Sequence, residues 1–354
     1  MRASGHGDSD GDASFRASGT SFRASGTSFR ASGTTRRRTL LAAGATTAAG
    51  LLTGCGTSGA DEKPPGAGRA APSPAHTSRS PSPRPTRRRP ELPRGGRRVF
   101  PEHRLVGYCG LPGATALGRL GTGDLDDRVK ELERRGRAYA DGRRVLPVLE
   151  LLATVANPTA GPDGTYRTRT PDETIRTFHE AARRHDALLL LNIQPGRADP
   201  LDEVKALDKW LAHPDVGIAL DPEWEMDPGQ IPGDTYGHTT GPELTRVAAH
   251  LASLVDRHDL PEKVLVYHQV AESVVHDERE LDIPEGVAVV KSADGIGDPS
   301  LKRHTWERLV DRMPDRLRTG FKLFFEEDTE GGSHLMTPDQ VLGLRPRPSY
   351  VMYE

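Results

Sequence analysis

From residue 99 onward, short apolar runs alternate with amphipathic segments. Eight runs rich in leucine and β-branched residues have the length of buried strands: RLVGYCG, RRVLPVLELLATVA, ALLLLNIQPG, VGIALDPEWEM, KVLVYHQV, GVAVVKSADG, GFKLFFEED and PSYVMYE. Helical periodicity lies between most of them, at 124–139, 172–186, 201–213, 242–258 and 299–313. Strands that alternate with helices predict parallel βαβ units. Eight such strands in about 250 residues predict a (β/α)8 TIM barrel.

A doubly wound open sheet is the alternative architecture. Its nucleotide-binding form has a glycine-rich turn after the first strand. The segment YCGLPGATALG contains the glycines without the required spacing. The barrel over residues 99–354 is therefore the preferred prediction.

Polar residues collect at the C-terminal ends of the predicted strands. They follow five strands that begin apolar: Asn192 and Gln194; Asp221, Glu223 and Glu225; Tyr267, His268 and Gln269; Lys291, Ser292 and Asp294; Glu326, Glu327 and Asp328. In a TIM barrel, the C-terminal strand ends and the loops after them build the active site. The sequence therefore predicts a shared polar pocket there.

Alternation of side chains divides the acids of the fourth strand, VGIALDPEWEM. Its bulky aliphatic residues are expected to face the helices, which directs Ala219 and Asp221 toward the barrel axis. If the alternation continues past the proline, Glu223 also points inward. Trp224 then forms a wall, and Glu225 is expected to be a charge at the rim.

The same argument applies to two further strands. In the seventh, Lys322 and Glu326 share one face, and the phenylalanines and leucine between them form an apolar one. Glu326 is therefore expected to point inward, and Lys322 below it requires a carboxylate partner. Glu150, an isolated acid of the second strand, is also expected to face inward, where it could neutralise Lys322 or an arginine.

Carboxylates after the fourth and seventh strands resemble those of the TIM-barrel glycoside hydrolases. In that superfamily the acid/base follows the fourth strand and the nucleophile follows the seventh. The resemblance implies Glu223 as acid/base and Glu326 as nucleophile or base. Glycoside hydrolysis needs two carboxyl groups with opposite protonation preferences, and a neighbouring Asp221 would raise the pKa of Glu223.

The D-x-E-x-E run is also similar to the acidic motif of chitinase-type and muramidase-type barrels. It lacks the Asn-Glu-Pro of many glycosidases and the D-x-x-D-x-D-x-E spacing of chitinases, so no specific family is assigned. The remaining candidates are substrate contacts. Three aromatic residues could stack on sugar rings: Trp224, Tyr267 and Tyr108. Five polar residues could bind hydroxyl groups or support the residues that do: Asn192, Gln194, His268, Gln269 and Asp294.

Two other classes of function stay open. Only 5% of the residues are aromatic, which argues against a long polysaccharide cleft and is compatible with a barrel that binds glycan or protein without catalysis. A metal-dependent hydrolase could use four residues of the predicted pocket: Asp221, Glu223, His268 and Asp294. The sequence has no H-x-H or H-E-x-x-H motif, so neither a metal nor a cofactor is assigned. Helix histidines such as His179 are expected at the surface.

The N-terminal part has features typical of export and anchoring. The heptapeptide SFRASGT occurs three times in succession, and 1–34 is predicted to be a disordered extension. Arginines, a short apolar run and Leu-Thr-Gly-Cys follow. This order resembles a bacterial lipoprotein signal over 35–55 that places lipid on Cys55, and the adjacent arginines resemble a twin-arginine export signal. Residues 56–98, rich in Pro, Arg and Ser, are predicted to be a disordered linker.

Charge separates the two parts of the chain. Residues 1–100 contain 17 Lys or Arg and 6 Asp or Glu, whereas the remaining 254 contain 31 and 44. The acidic domain argues against nucleic acid as a partner. If Cys55 is lipidated, Cys109 has no disulfide partner and is expected to be a small buried residue.

Three motifs are similar to a group of actinobacterial surface lipoproteins: ALDPEWEM, YHQ and LMTPDQVLGLRPRPSYVMYE. Together with the lipoprotein signal, they imply a protein exported and lipid-anchored to the outer face of the cell membrane. The glycoside-hydrolase resemblance implies a carbohydrate or cell-wall polymer as its partner.

Overall fold

The computed structural model describes residues 89–311 and 313–354, and the chain divides into two units, Met1–Arg87 and Arg88–Glu354. The predicted repeats, the signal with Cys55 and most of the predicted linker lie outside the described residues. The described fold begins before the predicted boundary at residue 99. Leu92 is buried, and Arg94 donates from Nη2 to Glu133 (2.6 Å). Residues 89–98 therefore pack against the barrel.

Within the described residues, eight parallel strands close into a barrel. They are β1 (His103–Gly110), β2 (Arg144–Ala156), β3 (Leu188–Ile193), β4 (Val216–Leu220), β5 (Lys263–Gln269), β6 (Val287–Ala293), β7 (Arg318–Leu323) and β8 (Tyr350–Tyr353). Each strand pairs with its neighbours in sequence, and β1 pairs with both β2 and β8. A short strand, Arg167–Arg169, adds antiparallel to β2. The TIM barrel is confirmed, and the open sheet is excluded.

Helices cover the outside of the barrel. They are α1 (Leu125–Gly136), α2 (Asp172–Arg184), α3 (Pro200–Lys205), α4 (Asp208–Leu211), α5 (Gly241–His258), α6 (Pro299–Val310) and α7 (Pro338–Leu342). Aspartate or threonine caps begin several of them, including a capping box of Thr240 with Glu243 on α5. The predicted helix 201–213 is two helices, because Leu207 leaves helical geometry (φ −101°, ψ 5°). Among the described residues, none of the helices is long and apolar enough to span a membrane.

The core has two layers, and they confirm the alternation predicted for β4. Val216, Ile218 and Leu220 pack between the strands and the helices, whereas Ala219 lies in the inner cluster with Cys109. Cys109 is buried, as expected. The expectation that His179 lies at the surface is wrong, because the inner face of α2 carries this ring into contact with Asp215.

Candidate active site

A fully buried histidine lies at the C-terminal end of the barrel, which we call the mouth. His268 on β5 has 0% of its surface exposed, and it donates from Nδ1 to Asp294 (2.8 Å) and from Nε2 to Glu150 (2.9 Å). Burial alone would lower its pKa. The carboxylates of Asp294 and Glu150 outweigh burial and raise the pKa of His268 well above its ordinary value. The ring is therefore an imidazolium held between two strands.

A lysine neutralises Asp294 from β7. Lys322 Nζ lies 3.2 Å from Asp294 Oδ2 and 2.5 Å from Glu354 Oε2. Burial opposes ionisation of Asp294, but His268 and Lys322 together lower the pKa of this carboxyl to about 2. The expected carboxylate partner of Lys322 is confirmed. It is Asp294 together with the last residue of the sequence, and Glu150 makes its ion pair with His268 instead.

Two amide side chains orient Asp221. Asn192 donates to Asp221 Oδ1 (3.0 Å), and Gln194 donates to Asp221 Oδ2 (3.1 Å). Asn192 also donates to Glu150 (2.9 Å), which accepts further bonds from His268 and from the hydroxyl of Tyr350 (2.9 Å). Burial raises the pKa of Asp221. The structure thus brings together the inward-facing residues predicted on β2, β3 and β4.

Glu223 follows β4 in a short 3-10 turn, Pro222–Trp224. The strict alternation ends here, but the carboxyl still lies beside the network. Burial, followed by the charges of Asp221 and Asp294, raises the pKa of Glu223 well above its ordinary value. This carboxyl therefore retains its proton at a pH where Asp294 is ionised.

Three buried oxygen atoms at the mouth have no hydrogen-bond partner among the residues that the structure describes. They are Glu223 Oε2, Asn192 Oδ1 and Gln269 Oε1. They belong to the ends of three neighbouring strands, β3, β4 and β5. Buried polar atoms are nearly always paired with protein or water. These oxygens are thus available to accept hydrogen bonds from a molecule bound in the mouth.

A loop after β4 passes over Glu223. The main-chain N–H of Gly237 donates to Glu223 O (2.7 Å), and a Cβ on Gly237 would lie 2.0 Å from Glu225 O, so only glycine fits this crossing. The ring of Tyr236 next to it is 43% exposed. Burial and the neighbouring Glu223 raise the pKa of Tyr236. Trp224 is half-buried in the same segment, where the sequence predicted a wall.

The predicted sugar platforms on β1 and β5 need correction. Tyr108 and Tyr267 lie in the layer between the strands and the helices, on the face opposite the axis. The hydroxyl of Tyr108 donates to Glu131 (3.1 Å), and that of Tyr267 donates to Glu278 (2.6 Å). Alternation places Tyr267 outward because its neighbour His268 points inward. Both tyrosines support the fold.

The carboxylates after β7 also differ from the expectation. The strand ends at Leu323, and Glu326 is exposed at the start of a 3-10 segment, Glu327–Gly332, so it does not continue the inward series. Asp328 is the buried acid of this loop. It binds Lys302 (2.9 Å) and accepts the main-chain N–H of Phe324 (3.0 Å), which fixes the turn.

Glu225 is more than a rim charge. It lines a cavity of about 310 Å³ with Arg197, His238 and Glu243, beside the mouth. Burial and the neighbouring Glu243 raise the pKa of Glu225 to about 8. This carboxyl thus faces its own cavity, two residues beyond Glu223.

Three residues near the site were absent from the sequence-based candidates. Tyr350 begins the eighth strand and Glu354 directly follows it; an acid at the end of the last apolar run is the available signal. Tyr236 is placed by loop geometry that no pattern in the sequence indicates. The metal hypothesis would require His268 to give up one of its two bonds to carboxylates, because each of its ring nitrogens is paired with one.

Comparisons with known proteins assign no family to this chain. The chain matches no family model, and a search of curated proteins finds no match. Among solved structures, it is similar to a hyperthermophilic endo-β-1,4-glucanase in complex with substrate, with a TM-score of 0.34 and 8% identity. That likeness covers 66% of this chain and 82% of the glucanase chain.

Proposed function

We propose that the mouth of the barrel hydrolyses a glycosidic bond, with Glu223 as the proton donor. The observation that supports the proposal is that this carboxyl is protonated and has an unpaired oxygen. Its pKa is raised well above the ordinary value, and its buried Oε2 has no partner within the described part of the chain. A general acid must hold its proton near neutral pH and be free to deliver it to the leaving oxygen.

Asp221 is the second carboxylate of the proposed mechanism. The amides of Asn192 and Gln194 bond both of its oxygens and fix its orientation. As Glu223 protonates the glycosidic oxygen, the bond between this oxygen and the anomeric carbon breaks. A water molecule adds to the anomeric carbon and returns its proton to Glu223, and in the transition state positive charge develops on the sugar ring. A fixed carboxylate two residues away stabilises this charge and, before the reaction, keeps Glu223 protonated. Glu326 is exposed, so it is neither held in a fixed orientation nor placed beside Glu223.

The unpaired oxygens favour a polyhydroxylated substrate. Asn192 Oδ1 and Gln269 Oε1 are acceptors without donors among the described residues, and sugar hydroxyls are donors. The half-buried Trp224 and the partly exposed ring of Tyr236 flank the same opening and offer apolar faces for a sugar. Both the hydrogen bonds and the ring faces fit a carbohydrate.

The resemblance of the N-terminal segment adds a location to the proposal. A lipid on Cys55 would hold the barrel at the outer face of the cell membrane. The substrate would then be a carbohydrate outside the membrane, such as a cell-wall polymer. The segment around Cys55 lies outside the described residues.

A panel of labelled glycosides tests the proposal with wild type and Glu223→Gln. We expect the variant to lose about 10²–10⁴-fold in kcat/KM, the typical contribution of a general acid. The loss should shrink for aryl glycosides whose leaving group departs without protonation. Wild-type activity should also fall as pH rises through the raised pKa of Glu223.

Glu225→Gln is the matched control. It removes a second carboxyl of raised pKa from the same segment, but one that faces the neighbouring cavity, so kcat/KM should be unchanged. An equal loss for activated and unactivated glycosides would contradict the role of Glu223 as acid. If wild type showed no turnover and Glu223→Gln bound glycan as wild type does, the barrel would be a glycan-binding module and not an enzyme.

A further inference from the structure

Three metal-ligand side chains meet at the end of the barrel opposite the mouth. His179 projects from α2, and His213 and Asp215 lie in the turn between α4 and β4. Asp215 directly precedes β4, whereas Asp221 directly follows it, so the two aspartates are roughly 20 Å apart along the strand. This cluster is therefore separate from the proposed catalytic residues.

The separations approach those of a metal site. His179 Nε2 lies 3.0 Å from Asp215 Oδ2, and one ligand atom of each of the three residues lies within 4.8 Å of the others. The rings of His179 and His213 are 4.7 Å apart between centroids. Ligand atoms bound tetrahedrally to zinc at about 2.0–2.2 Å lie about 3.3–3.5 Å from each other. The ligand atoms, which lie within 4.8 Å of one another, would have to move closer by about 1 Å or more to bind one ion.

Neighbouring residues hold His179 and the turn of Asp215 in place, and His213 is accessible to solvent. Lys263 Nζ donates to the main-chain oxygens of His213 and Val216 (2.7 Å to Val216), which fixes the turn that carries His213 and Asp215. Trp210 packs edge-on against His179, at 5.9 Å between ring centroids. His213 is half-buried, so solvent reaches the cluster from its side.

One cation competes for the same carboxylate. Arg183 Nε lies 4.0 Å from Asp215 Oδ2, at the outer limit of an ion pair. The Arg183 side chain is 65% exposed and can move into water when a metal replaces it. Lys263 directs its protons to main-chain oxygens and does not contact the carboxylate.

We infer that His179, His213 and Asp215 bind a single divalent transition-metal ion, with Zn²⁺ as the best match. Two imidazoles and a carboxylate suit zinc, and they leave a fourth position for water on the accessible side. The ion would join α2 to the start of β4 and stabilise the N-terminal end of the barrel. This site is independent of the glycosidase proposal.

Zinc binding to the chelator-stripped full chain tests the inference. By equilibrium dialysis, wild type should bind one equivalent of Zn²⁺, and His213→Gln should weaken it by more than about tenfold, since even outer-shell changes cost roughly 10–100-fold. Co²⁺ should give wild type the visible absorption of a tetrahedral site, and His213→Gln should lose it. Asp215→Asn, which keeps the side-chain shape, provides a second variant if His213→Gln does not fold.

The matched control is His185→Gln, which should leave zinc affinity unchanged. His185 also lies at the end of α2 and pairs with one carboxylate, Asp126, at 2.9 Å, but the two are not part of a three-ligand group. Unchanged affinity in His213→Gln would overturn the inference. Loss of zinc binding in His276→Gln would also overturn it. His276 and His238 form another pair of histidine rings, 4.8 Å apart between centroids, and the zinc would then lie there. Removing zinc should leave turnover of glycosides intact, so either proposal can fail alone.

Discussion

Two histidines, one at each end of the barrel, are buried to the same degree but have opposite shifts in pKa. His103 begins β1, and His268 lies near the end of β5; both have 0% of their surface exposed. Burial lowers the pKa of His103, whose Nδ1 bonds the main-chain oxygen of Val99 (3.2 Å). Two carboxylates raise the pKa of His268. Loss of exposed surface alone therefore does not decide the charge; the carboxylate partners of His268 do.

The same difference holds for the other buried cations of the two ends. At the N-terminal end, Lys263 donates to the main-chain oxygen of Val216 (2.7 Å), and Arg104 donates to that of Tyr139 (2.7 Å) while its Nη1 lies 3.6 Å from the exposed carboxylate of Asp141. At the mouth, Lys322 and His268 bind carboxylates of other strands. Main-chain partners belong to the fold itself. The mouth combines side-chain charges with unpaired buried oxygens, and clusters of groups with shifted pKa are typical of functional sites, so the mouth is the better candidate for chemistry.

Breaking the network of the mouth should have the largest effect. His268→Leu leaves the carboxylate of Glu150 buried without its imidazolium and leaves Lys322 as the cation bound to Asp294, so we expect the free energy of unfolding to fall by about 3–5 kcal/mol. Urea denaturation measures this. Glycosidase activity should be lost as well. If the free energy of unfolding fell by less than about 1 kcal/mol, the two carboxyls would be protonated in the variant. That result would contradict the low pKa of Asp294.

At the N-terminal end of the barrel, the stability that His103 contributes should decrease in acid. The pKa of His103 in the folded chain lies below its ordinary 6.5. The unfolded chain therefore binds a proton first, and the stabilisation from neutral His103 is present above pH 6.5 and lost as pH falls below it. The limit of this loss is about 1.4 kcal/mol per pH unit.

His103→Gln tests this by removing the titration. Urea denaturation between pH 7.5 and 5 should show a smaller acid-induced loss of stability for the variant than for wild type. The comparison of His268→Leu with wild type should behave differently. His268 stays charged in the folded protein while the unfolded chain loses this proton above pH 6.5, so the stability advantage of wild type over His268→Leu should grow as pH falls from 7.5 to 6.5 and then level off. Parallel pH profiles for His103→Gln and wild type would remove the contrast between the two histidines.

Much of the fold follows from local patterns in the sequence. The alternation of apolar runs and helical segments predicts the barrel, and the alternation within VGIAL correctly separates Ala219 from Val216. Strand alternation also puts Asp221 and Asn192 in the mouth. These predictions succeed because the period of a regular strand is fixed by its backbone geometry.

The errors begin where the strands end. Glu326 was assigned to the inward face by counting beyond Leu323, but the chain turns there because Asp328 binds Lys302 and the N–H of Phe324. Tyr236 reaches Glu223 through a loop whose path depends on Gly237. Contacts between distant segments set both conformations, and no local pattern contains that information.

Glu326 provides the smallest expected effect and the most direct test of where the mouth ends. Its side chain is exposed, so Glu326→Gln should change the free energy of unfolding by less than about 0.5 kcal/mol. In the proposed mechanism the variant also keeps the wild-type kcat/KM, since Asp221 is the second carboxylate. If Glu326→Gln instead lost activity about as severely as Glu223→Gln, with stability intact, the resemblance to the glycoside hydrolases would extend to the seventh strand. The loop that carries Glu326 would then have to fold over the mouth when substrate binds. The structure would show this loop in its open conformation, and Glu326 would act as the nucleophile after the loop closes.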